Sequence, residues 1–134
     1  MNEKEVFAEL GEQGIGRMVR AFYRRVKEDE LIGPMYPDGQ WERSEWRLRE
    51  FLNFRLGGIE RYTKERGLPR LKVRHVPFSI GIAERDRWLE LMAAAMEEAE
   101  VSEAVQDQLK PFFAGIADNM RNREEGGGGL NFIR

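Results

Sequence analysis

Cysteine is absent from the 134 residues, which excludes disulfides, thiolate metal sites, iron–sulfur clusters and thiol nucleophiles. Histidine is almost absent: His75 stands alone, so no pair of histidines can ligate one metal within the chain. Long apolar runs are missing too, since none approaches the roughly 18 residues of a membrane span. Net charge is low, with 22 basic against 24 acidic side chains, so no global field favours nucleic acid or an anionic membrane. The opening Met-Asn-Glu-Lys-Glu-Val-Phe lacks the basic-then-apolar pattern of a signal peptide. Without another address, the cytoplasm is the expected location.

What is present reads as helix. Hydrophobic residues make up 41% and charged ones 34%, ordinary values for a helical domain. The length fits one domain, expected over residues 1–123. Four glycines at 126–129 then predict a flexible tail over residues 124–134. Residues 2–9 predict a short helical turn ended by Gly11 and Gly14. Ile15, Met18, Val19, Phe22, Tyr23 and Val26 follow at helical spacing. Tyr23 lies on that apolar face, so its hydroxyl needs an interior partner, a backbone carbonyl being the simplest. After the turn formers of residues 33–39, a second helix is predicted from Trp41, with Ser44, Leu48, Phe51, Leu52 and Arg55 on one face, to Gly57-Gly58. Ser44 is a small residue where a larger one is usual; it suits either a close helix crossing or an open space. Trp88, Leu91, Met92, Ala95, Met96 and Ala99 mark the stripe of a third long helix. A fourth is expected from an N-cap at Ser102, with a kink or break near Pro111. No period-2 strand and no internal repeat is visible, so the fold class is all-α.

His75 sits in Leu68-Pro-Arg-Leu-Lys-Val-Arg-His-Val-Pro-Phe78, bracketed by Pro69 and Pro77, which limits any helix there to about two turns. Beside Arg and Pro, a lone histidine reads first as an exposed loop residue. A neutral imidazole on a rigid segment is also a natural axial ligand for haem iron. The surrounding Arg66, Arg70, Lys72 and Arg74 form either a solvated face or the edge of a dianionic ligand's site. A nucleic-acid patch ranks last, for want of a groove-reading motif or aromatic platform.

Three pieces together resemble the truncated haemoglobins of the second group. They are Phe22-Tyr23, Tyr36-Pro37, and the segment from Pro69 through His75 to Phe78 followed by Glu84-Arg-Asp-Arg-Trp88-Leu. Arg47-Leu-Arg-Glu-Phe-Leu, Gly57-Gly58, and Tyr62 with Arg66-Gly67 extend the likeness collinearly from about residue 14 to 92. The resemblance implies a globin-like two-over-two helical sandwich enclosing haem b (iron protoporphyrin IX), with His75 as the proximal iron ligand. It implies a distal side of Tyr23, Tyr36, Ser44, Leu48 and Trp88, the Trp88 N–H pointing at the bound ligand. Tyr62, Arg66 and Lys72 correspond to positions that meet the haem propionates, while Phe22, Phe51, Val76 and Phe78 would pack on the porphyrin. Two departures stand out: Arg55-Leu56 where the group often has an aromatic pair, and Leu68 where histidine is frequent.

Such a centre leaves one position for O₂, CO, NO or a similar ligand. A ligand that gains negative charge there rewards donors, and Tyr23, Tyr36 and Trp88 supply up to three. That favours tight O₂ binding with NO or peroxide chemistry over simple carriage. Turnover would need an external reductase, because the chain has no flavin or nucleotide motif. A non-enzymatic gas sensor or oxygen store acting through a partner is the alternative, and a helical module without haem the third. A homodimer stays open.

Overall fold

In the computed structural model, residues 1–37, 39–67 and 80–121 are described. Among them are five α-helices and no strand: α1 (Glu3–Val26), α2 (Trp41–Gly57), α3 (Arg61–Arg66), α4 (Ile82–Glu98) and α5 (Glu103–Asn119). One layer pairs α1 with α2, the other pairs α4 with α5, and α1 crosses onto α4. This is the two-over-two arrangement. Lys72, His75, Val76, Phe78 and the expected tail lie outside the described residues.

The N-terminal helix differs from expectation. A capping box starts it: the Glu5 amide donates to the Asn2 side chain at 2.9 Å, and the Asn2 amide to the Glu5 carboxylate at 3.1 Å. Gly11 interrupts it, at φ 64° and ψ 174°, but Gly14 does not end it. The kink is a place where glycine's missing Cβ matters. It lets residues 3–10 fold over the end of α2, where a Cβ on Gly57 would come within 2.6 Å of the Phe7 ring. Ile15, Met18, Val19, Phe22 and Val26 are fully buried as their spacing implies.

Gly58, at φ 69°, closes α2, its amide donating to the Phe54 carbonyl at 2.9 Å. Arg55 is exposed rather than on the inner face, and Glu50 and Asn53 are buried instead. Ser102 caps α5 as predicted, accepting from the Val105 amide. Helix α5 runs through Pro111 without a break. The proline and Asp107, whose carbonyl loses its partner, both face solvent, so water can satisfy that oxygen while buried Leu109 and Phe113 anchor the helix.

Two carboxylates pin the layers. Glu50, almost wholly buried, accepts from Arg61 Nε at 2.8 Å and Asn53 Nδ2 at 3.3 Å. Arg61 also pairs with Glu12, so α3 is tied to α1 and α2. Asp29 accepts from the Leu31 and Ile32 amides at 3.0 and 2.9 Å and from Arg87 at 2.6 Å, tying the α1–α2 connection to α4. Burial pushes the Glu50 carboxyl up, but the Arg61 and Asn53 bonds outweigh it and hold the group below its ordinary value. A depressed folded-state pKa adds stability that is complete above about pH 4.5, the ordinary value, and is lost as pH falls through the folded value. Glu50→Gln is therefore expected to lower Tm by a few degrees at pH 7 and by progressively less in acid. Thermal unfolding of both proteins between about pH 7 and 3 checks it; a pH-independent difference would remove the charge from the explanation.

Candidate functional site

Between the two layers lies a cavity of about 400 Å³, within the range of small-molecule and cofactor sites. Helix α1 contributes Tyr23, the turn at Gly33–Met35 and its flanks contribute Met35 and Tyr36, and α2 contributes Ser44, Leu48 and Phe51. Trp88 comes from α4 and Phe113 from α5. Gly33 makes the turn possible, because a Cβ there would sit 2.7 Å from the Val26 carbonyl oxygen. Ser44 is buried and accepts from Arg47 at 3.2 Å. Of its two sequence readings, the open space is the one seen: its short side chain forms cavity wall.

The five residues expected on the distal side, Tyr23, Tyr36, Ser44, Leu48 and Trp88, all line this cavity. Three of them form one aromatic assembly. Tyr23 and Tyr36 meet edge to face with centroids 5.6 Å apart, and Phe22 bridges Tyr23 at 5.1 Å to Trp88 at 5.0 Å. Phe22 is fully buried behind Tyr23 and Trp88. Phe51 and Tyr62 share the wall, 5.9 Å apart and edge to face. Tyr62 is only 2% exposed, so the short α3 is held by a buried ring rather than lying on the surface. Arg66 is the last residue of α3.

Burial raises the Tyr23 phenol well above its ordinary value, and the neighbouring Tyr36 raises it further, with Tyr23 acting as donor toward the Tyr36 oxygen. Tyr36 is also raised by burial, though the donors Trp88 and Tyr23 and the charge of Arg47 oppose the shift. Both phenols thus keep their protons at neutral pH. Tyr36 is the hub: Trp88 and Tyr23 act as donors toward its oxygen, leaving its own O–H to donate, so the Trp88 N–H faces Tyr36 where the resemblance has it pointing at the bound ligand. Arranged this way, the wall can offer protons in hydrogen bonds without transferring them.

Sequence reasoning missed the cationic part of the wall. Arg47 lies one helical turn from Phe51 on α2, and Arg85 one turn before Trp88, bound to Asp86 and Asp118. It also missed that α5 supplies a side of the cavity through Phe113, Ile116, Ala117 and Met120. Their helical spacing was visible, but an apolar stripe does not say whether it covers a core or a cavity.

Residues 5–122 match the family model described as bacterial-like globin. The group 2 truncated hemoglobin YjbI of Bacillus subtilis is 33% identical over 116 residues, which is 87% of each chain. Among solved structures, the hemoglobin of the thermophilic phototroph Chloroflexus aurantiacus superposes with a TM-score of 0.83 at 39% identity, covering 88% of this chain and 98% of that one. The truncated oxygen-avid haemoglobin of Bacillus subtilis superposes at 0.82 and 32% identity, covering 87% and 98%.

Proposed function

The chain belongs to the bacterial-like globin family, whose members hold haem and bind small ligands, and from that premise we propose a protein that binds O₂ tightly and reacts with NO or peroxide. Haem b supplies, when bound, an iron with one coordination position open to a small ligand. The residues present fit such a group: the cavity is walled by Phe51, Leu48, Ile32 and Phe113 with few polar atoms, and Arg47 brings a cation to its wall. His75 is the proposed iron ligand, as the only imidazole in the chain. Tyr62, Arg66 and Lys72 are proposed to meet the propionates, and Val76 and Phe78 to pack on the porphyrin with Phe51; Phe22, expected to join them, does not line the cavity and instead backs Tyr23 and Trp88.

The observation that carries this reading is the gathering of Tyr23, Tyr36 and Trp88 on the wall of one cavity, the two phenol rings edge to face at 5.6 Å. Tyr36 donates to the ligand, while Tyr23 and Trp88 orient it. Their rings exclude water, which strengthens each hydrogen bond. A relative of similar structure is described as oxygen-avid, which supports tight binding here. Turnover that consumes ferrous iron, as with NO, would draw on an external reductase, since the sequence carries no flavin or nucleotide motif. Among the described residues no helix is long and apolar enough to cross a membrane; a cytoplasmic location is part of the proposal.

The test is the visible spectrum of the haem-supplied protein in ferric, reduced and CO-exposed states. A sharp haem band that shifts with CO is expected. Absence of bound haem would overturn the reading and leave a helical module. Rapid NO or peroxide consumption with a reductant present, against ligand binding alone, separates a reactive protein from a sensor or store.

A further inference from the structure

The aromatic wall has a back side that reaches solvent. Trp41, the first residue of α2, is not a cavity residue, yet its indole stacks on Tyr36 with centroids 5.6 Å apart and planes at 30°. It also meets the Tyr23 ring edge to face at 6.4 Å. Trp41 is half-buried, so one indole touches two cavity residues and the exterior together. Trp46 supplies an internal comparison. It lies on the same helix and is also half-buried, but it meets no ring among the described residues.

Indole and phenol are the aromatic side chains that lose an electron most readily, and electron tunnelling falls steeply with distance. Rings in contact are therefore a preferred route. On the haem reading above, we propose that Trp41 is a surface oxidation site, drained of electrons through Tyr36, where phenols too bulky for the cavity are oxidised. Hydrogen peroxide is the oxidant. Its O–O bond breaks and its oxygens leave as two waters, taking up two electrons and two protons. Two phenols each supply one electron and one proton and become phenoxyl radicals. In each half of the cycle the Trp41 indole loses an electron and its N–H proton, then regains both as a phenol O–H breaks. The Lys27 ammonium, 5.8 Å from the Trp41 centroid, makes that electron loss harder.

The experiment treats the full haem-loaded chain in its ferric state with hydrogen peroxide and a nitrone spin trap, then locates adducts by peptide mass spectrometry. Labelling of Trp41 and not Trp46 is expected. Lys27→Gln should increase it, and Trp41→Phe should shift the adduct to Tyr36 and slow oxidation of a bulky phenol more than of a small one. Equal labelling of Trp41 and Trp46, or an unlabelled Trp41 beside a normal haem band, overturns the inference alone. A chain without a haem band overturns the haem reading and this inference with it. The wild-type labelling pattern decides the matter even if Trp41→Phe fails to fold.

Discussion

Replacing His75 with Ala is expected to abolish retention of haem through gel filtration, with loss of the sharp absorption band. The reason is arithmetic as much as chemical. The sequence contains one histidine and no cysteine, so no second imidazole and no thiolate can take over the iron. Tyr23 and Tyr36 lie on one wall of the cavity, and neither supplies an imidazole. A cavity walled by Phe51, Leu48 and Phe113 would still attract an apolar porphyrin weakly, so residual binding should be loose and broad in its spectrum. Imidazole added to the His75→Gly variant should restore the band by occupying the vacated position. Normal haem retention by His75→Ala would sink the assignment of this residue.

The second large effect is expected at Tyr36. Tyr36→Phe removes the hydroxyl while keeping the ring that stacks on Trp41 and meets Tyr23. A hydrogen bond to a group bearing charge contributes roughly 1.5–3 kcal/mol, which corresponds to about 10- to 150-fold in a dissociation rate. O₂ release measured by stopped flow should accelerate within that range. Tyr23→Phe and Trp88→Phe should act in the same direction by less, because both donate toward Tyr36 rather than standing alone. Since the three form one network, the Tyr23–Trp88 double variant should depart from additivity. Off-rates unchanged in all three single variants would show that these donors point away from the ligand.

The same network bears on the choice between reactive protein and store. Tyr23 and Trp88 do not merely decorate the cavity; they are packed in series through Phe22, and Trp88 rests at 5.7 Å on Phe113 of α5. Fixing Tyr36 in this way costs little reorganisation when a ligand gains charge, which is how preorganised donors favour a charged state. On the proposed haem reading, such a site would favour holding and polarising a ligand over quick release.

By itself the sequence determined the helical class, the cap at Ser102 and the left-handed stop at Gly58, because those signals act within a few residues. It also determined that a single residue, His75, can serve as an imidazole ligand. Sequence and resemblance together brought five residues expected on a distal side into one list, and all five line one cavity. Where local signals compete with packing, only the tertiary structure decided. Gly14 and Pro111 both look like breakers, yet packing of α1 and α5 carries the helices through them. Glu50 and Asn53 look like surface residues, and burial became tolerable only when α3 delivered Arg61. The roles of Tyr36 as hub and Trp41 as its outward neighbour depend on rings from α1, α2 and α4 meeting in space. Residues 13 and 52 positions apart in the chain cannot announce by spacing that they share one oxygen atom's surroundings.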